Sequence, residues 1–144
     1  MEILITTSRR TSVKIENILQ RELKKYSRCG LLILANRNNI PEAVGGILGL
    51  ADLVLVSGDS ISMVSEAVSS GKRTIVFTLQ NNEQGHRGKS KHQRFVNLLN
   101  QDGYALFSPG QDIKTAIYQV IKNKMQFRKM DDQAIILEAV KKIF

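Results

Sequence analysis

The chain reads as an α/β protein: a doubly wound, five-stranded parallel sheet of Rossmann-like type, with helices on both faces. Three observations predict this. Five short apolar runs recur along the chain, segments with helical spacing separate them, and glycines punctuate the junctions. The runs are Glu2–Thr6, Leu31–Ala35, Asp52–Ser57, Arg73–Thr78 and Tyr104–Phe107. They are nearly continuous in Ile, Leu and Val rather than alternating, as in strands covered on both faces of a parallel sheet. Between them, Ile15, Ile18, Leu19, Leu23 and Tyr26 recur at three and four, as do Val44, Ile47 and Leu48, then Ile61, Val64 and Val68. Arg94-Phe95 opens a fourth helix, Ile113, Ala116, Ile117, Val120 and Ile121 mark a fifth, and a last one is expected over Asp131–Lys142. Gly30, Gly71 and Gly103 are expected to stop the first, third and fourth helices. Asp59 or Ser60 would cap the third and Asp112 the fifth. Strands alternating with helices imply crossover connections, and the commonest five-strand order is 2-1-3-4-5. Ligands of such sheets bind beyond the carboxyl ends of the strands, at the switch between the first and third.

Composition bounds the function. The 144 residues fit one domain, 1–144, and 42% hydrophobic with 24% charged residues suits a soluble globular chain. The single cysteine, Cys29, allows no internal disulfide, which fits a reducing, cytoplasmic setting. A strand pattern directly after Met1 leaves no room for a signal peptide, and no run approaches a membrane span of about 20 apolar residues. The net charge of +8 fits an anionic partner or simply a solvated basic surface. Aromatics are 6% and are not interleaved with the basic residues, which argues against nucleic acid.

Two strand-to-helix turns carry phosphate-friendly chemistry. The first contains Thr7, Ser8, Arg9 and Arg10, running on to Thr11 and Ser12. Hydroxyls and amides at a helix start attract anions, and guanidinium forks suit phosphate oxygens. A plain Ser/Thr cap with two solvated arginines would look the same. The second contains Ser57, Gly58, Asp59, Ser60 and Ser62. Gly58 allows close backbone approach or a positive φ. Glu66 follows on the same helix, beside Val64 and Val68. A carboxylate there could take a pair of sugar hydroxyls, face solvent, or pair with Lys72 or Arg73.

The polar stretch Leu79–Lys91 contains Gly85-His86-Arg87-Gly88-Lys89-Ser90, but Glu83 stands where a phosphate loop of the nucleotide triphosphatases needs glycine. A basic flap bearing His86, Arg87 and Lys89, with Lys91, is the better reading. His86 and His92 lack metal-ligand spacing, no Asp-x-Asp pair ends a strand, and no nucleophile–His pairing is visible. The sequence offers binding groups without a general base, and calls for neither metal nor cofactor.

The string Ala51-Asp52-Leu53-Val54-Leu55-Val56-Ser57-Gly58-Asp59-Ser60-Ile61-Ser62-Met63-Val64-Ser65-Glu66-Ala67, continuing to Ser70-Gly71-Lys72, is similar to the signature of the mitochondrial-fission, elongated-mitochondria-type family. Thr6–Thr11 and Arg94-Phe95 through Gly103 also resemble that family, and the likeness covers most of residues 2–108. Its bacterial members are usually described as proposed glycosyltransferases of the GT-B fold. More distantly, Gly58 to Glu66 and on to Gly71 resembles nucleotide-sugar transferases of the peptidoglycan type. By that likeness Glu66 would bind the ribose, while Ser8, Arg9, Asp59 and Ser60 would surround the donor diphosphate. The resemblance thus implies a donor-nucleotide-sugar-binding, metal-independent half of a glycosyltransferase. Its acceptor domain would lie upstream or on a separate chain. The rival expectation is a non-catalytic module docking a protein or an acidic membrane surface through Lys24, Lys25, Lys122, Lys124, Arg128 and Lys129.

Overall fold

A computed structural model of the chain describes residues 2–78 and 91–130, with backbone only for 91–93. It divides into two compact units, residues 1–51 and 52–144. Both are built from parallel strands and helices.

The first unit contains β1 (Ile3–Thr6), α1 (Val13–Leu23), β2 (Cys29–Ile33) and α2 (Ala43–Leu50). β1 and β2 form a two-stranded parallel sheet, with Leu4 opposite Leu31 and Thr6 opposite Ile33. Ser12 caps α1: its hydroxyl accepts from the Ile15 amide at 3.4 Å. The inward face of α1 differs from the expected one. Ile15, Ile18 and Tyr26 are exposed, whereas Leu19 and Leu23 are half-buried and Glu16 is fully buried. Residues 16, 19 and 23 lie on one helical face, so a carboxylate occupies a position that spacing would assign to a hydrophobe. Among the described residues of this unit, Ile33, Leu34 and Ala43 are the buried apolar ones. Gly30 does not stop α1. The helix ends at Leu23, successive turns carry the chain to Cys29, and Gly30 lies inside β2.

The second unit contains β3 (Leu53–Ser57), α3 (Ile61–Ser69), β4 (Arg73–Thr78), α4 (Lys91–Gln101), β5 (Leu106–Pro109) and α5 (Ile113–Lys122). Its three strands pair in parallel in the order β3-β4-β5. β4, paired on both sides, buries Thr74, Ile75 and Val76. Successive side chains of a strand face opposite ways. Thr74 donates its hydroxyl to Ala67 of α3 at 3.3 Å, while Ile75 packs with Ala116 and Val120 of α5. Helices therefore cover both faces of this sheet. Gly71 and Gly103 follow α3 and α4 with φ of +70° and +75°, the left-handed region that glycine enters at least cost. After α5, residues 123–130 form neither helix nor strand. Met125 and Phe127 nevertheless pack on the Ile75 cluster, and the Arg128 amide donates to Gly103 O at 2.9 Å.

The single sheet in the order 2-1-3-4-5 is not formed among the described residues, where strand pairing yields one two-stranded and one three-stranded sheet. That order rests on the commonest topology for five strands, not on any residue of β1 or β3. The burial expected along every strand is most complete in β4 among the described strands. Leu31 of β2 and Leu55 of β3 are exposed, and β1 is half-buried throughout. The helix expected over Asp131–Lys142 and the flap at His86, Arg87 and Lys89 lie outside the described residues.

Candidate functional site

The β1–α1 turn of the first unit is held by its own hydrogen bonds. The Thr7 amide donates to Ile33 O at 3.1 Å, extending the β1–β2 pairing by one residue. The Ser8 amide donates to Thr11 Oγ1 at 3.1 Å, the Thr11 amide to Ser8 O at 2.9 Å, and the Arg10 amide to Ser8 Oγ at 3.2 Å. Arg9 and Arg10 are exposed on this turn. Three amides expected to meet an anion thus serve the turn itself and a fourth serves the sheet, while the exposed Arg9 and Arg10 side chains carry guanidinium forks suited to phosphate.

Glu16 lies within hydrogen-bonding reach of this turn and is the residue that sequence reasoning missed. Its Oε1 accepts from the Thr7 hydroxyl at 2.7 Å and from the amide and side-chain nitrogens of Asn36, each at 3.2 Å. Thr7 Oγ1 in turn accepts from the Ala35 amide at 2.8 Å, and Asn36 Nδ2 also donates to Thr11 O at 2.7 Å. The second oxygen, Oε2, is buried and takes no hydrogen bond. Burial pushes this carboxyl up. The hydrogen bonds from Thr7 and Asn36 and the charge of Arg37 outweigh that push and hold it below its ordinary value of 4.5. Arg37 is itself fixed on α1, donating to Gln20 Oε1 at 2.6 Å and to Asn17 Oδ1. The available signal was spacing: Glu16 shares a helical face with Leu19 and Leu23.

The β3–α3 turn of the second unit is built differently. The Ser57 hydroxyl donates to Asp59 Oδ1, and the Gly58 amide donates to Phe77 O at 2.8 Å. Gly58 does not have positive φ. A β-carbon there would stand 3.2 Å from Val76 Cγ1, so close packing on β4 accounts for the glycine. Ser60 is the N-cap residue of α3 and is buried, but its side chain makes no capping bond. Its Oγ lies 3.2 Å from Ser62 Oγ instead. The first turn of α3 also carries no acidic residue. The N-terminus of α3 thus has no side-chain cap and no acid in its first turn, with the exposed Asp59 carboxylate one residue before the cap as the nearest negative charge in the sequence. Glu66 is exposed on α3, and Arg73 donates to Asp52 O rather than to it.

Of the predicted residues, Ser57, Gly58, Asp59, Ser60 and Ser62 come together at the start of α3, whereas Thr7, Ser8, Arg9 and Arg10 belong to the other unit. Among the described residues no group of three or more His, Cys, Asp or Glu side chains is placed to hold a metal ion. No described helix is long and apolar enough to cross a membrane.

A family model described as "Mitochondrial fission ELM1" matches residues 1–142. No curated protein and no solved structure matches the chain significantly.

Proposed function

Because the chain belongs to the mitochondrial fission ELM1 family, we propose that it is a donor-nucleotide-sugar-binding domain of a metal-independent glycosyltransferase. The observation that carries this reading is the start of α3: a buried serine at the cap position, a second serine beside it, no carboxylate in the first turn and no side-chain cap. Backbone dipoles fixed in this way would meet the charge that develops on a departing nucleoside diphosphate, with no reorganisation at the moment of reaction. Glu66, on the same helix, would accept the ribose hydroxyls. Arg9 and Arg10 on the β1–α1 turn are donors suited to phosphate. Proton removal from the acceptor would fall to a separate acceptor domain, so this chain alone would bind donor without transferring sugar.

Calorimetric titration with uridine and guanosine diphosphates tests this. Removing one charged hydrogen-bonding partner, by Glu66→Ala or Arg9→Ala, is expected to weaken binding by about tenfold or more. A folded chain that binds neither a nucleoside diphosphate nor a nucleotide sugar at millimolar concentration would overturn the reading.

One observation favours a second reading, a non-catalytic module that docks on an acidic membrane surface. Lys122 lies over the Tyr118 ring at 5.0 Å, Tyr118 is 59% exposed, and Ile121 beside it is exposed as well. Lys124, Arg128 and Lys129 follow, all exposed, as are Lys24 and Lys25 of the first unit. Arg128 is partly committed: it stacks on Tyr104 at 5.1 Å. On this reading the chain would co-sediment with phosphatidylserine vesicles at low salt and be released as salt rises. Sedimentation unchanged between neutral and acidic vesicles would exclude it.

A further inference from the structure

We infer that Glu16 is the positioning residue of the β1–α1 turn: its buried carboxylate anion fixes the backbone that presents Arg9 and Arg10, without itself touching a ligand. The part of this concerning ligand binding rests on the proposed function, whereas the part concerning the turn stands alone.

The argument starts from cost. A carboxylate withdrawn from water is tolerated when hydrogen bonds and nearby charge replace its hydration. Here one oxygen collects three donors, from the end of β1 and from the loop after β2. The donors are not interchangeable. Thr7 is held in place by the Ala35 amide, and Asn36 reaches across to Thr11 O with the same nitrogen that it offers to Glu16. Thr7 and Thr11 bracket Ser8, Arg9 and Arg10. The carboxylate therefore ties both ends of the arginine-bearing turn to a single anchor on α1. The other oxygen, Oε2, is buried and unpartnered, so access for a ligand is poor and a direct binding role is excluded in this conformation. The charged group acting on the carboxylate among the described residues is Arg37, held at arm's length by Gln20 and Asn17. A neutral side chain of the same shape would keep the packing and lose the charge-assisted bonds.

Two measurements on the full chain test this. The first is a ligand-free pH titration of the backbone amide resonances of Thr7, Ser8, Thr11 and Asn36. In the native chain these amides are expected to share an inflection below 4.5, while Gly71 in the other unit does not follow it. Because folding lowers the value, the ionised anchor contributes stability above the unfolded value and loses it as pH falls through the folded one. Glu16→Gln should abolish the inflection. Thr7→Val, which removes one donor, should move it upward toward 4.5. Amides that show no shared inflection in the native chain overturn the inference, whether or not the variants fold.

The second measurement is pyrophosphate and uridine diphosphate titration. If the native chain binds, Glu16→Gln is expected to weaken binding about fivefold or more through the turn. Equal binding by Glu16→Gln with unmoved turn amides overturns the positioning role and leaves the proposed function standing. A native chain that shows the inflection but binds neither anion overturns the proposed function and leaves the anchor standing.

Discussion

Ile75→Ala is expected to destabilise the second unit by about 2–5 kcal/mol, the range for deleting a buried branched side chain in a core that closes only partly over the gap. Ile75 is fully buried at the centre of β4, with Ala116 and Val120 above it and Leu53, Leu106 and Ile117 around it. Three of those neighbours are on the α5 helix and two on the flanking strands, so collapse into the vacated space would strain the sheet pairing. Urea unfolding followed by circular dichroism reads the effect. With a slope of about 1–3 kcal/mol per molar urea, a loss near 3 kcal/mol moves the midpoint by roughly 1–3 M. Leu98→Ala serves as the contrast: Leu98 is exposed on α4, and the change should stay within about 0.5 kcal/mol. A loss at Ile75 no greater than at Leu98 would mean that this cluster does not hold the unit together.

Gly58→Val carries the second large effect. An added β-carbon would meet Val76 Cγ1 at 3.2 Å and Phe77 O at 3.5 Å, before either branch of the valine is placed. The side chain of Val76 is buried in the sheet, and Phe77 O is held by the Gly58 amide itself. Val76 must give way by a few tenths of an ångström for the β-carbon alone, and the valine branches add crowding against the carboxyl end of β4. The expected cost is about 1–3 kcal/mol, typical of overpacking. The same crowding would shift Ser60 and the start of α3, so nucleoside diphosphate affinity should fall with stability. Gly58→Ala should show a smaller loss of both. Unchanged stability in the valine variant would show that packing on β4 is not what requires glycine there.

What was legible in the sequence follows from how local each cause is. β4 was placed at both ends, Arg73–Thr78, because Ile75, Val76 and Phe77 form an unbroken apolar run flanked by residues that favour extended backbone. The stops at Gly71 and Gly103 were legible because positive φ selects glycine directly. β5 begins two residues later than read, since the Tyr104 and Ala105 amides first bond back to Leu99 O at the end of α4. β2 begins two residues earlier than read, because Gly30 was taken for a stop. Its backbone suits an edge pairing equally well, and only the bond from Ile3 N to Arg28 O and the turns after Leu23 decide the matter. The cluster at the start of α3 was recognisable from its serines. The buried role of Glu16 was not, because a charged residue next to Ile15 and Ile18 reads as the solvent side of a helix until Thr7 and Asn36 are brought to it. Those partners lie 9 and 20 positions away, beyond the reach of any helical period. The pairing of five strands into one sheet is a non-local property of the same kind, and the described residues do not contain it.

The irregular segment after α5 bears on where this unit can be cut. A fragment ending at Lys122 would retain every helix and strand described in the second unit, yet shed Met125 and Phe127 from around Ile75 and the backbone bond that Arg128 gives to Gly103. The smallest piece able to hold its own shape is therefore longer than its regular elements suggest, and truncation guided by them alone would expose interior surface to water.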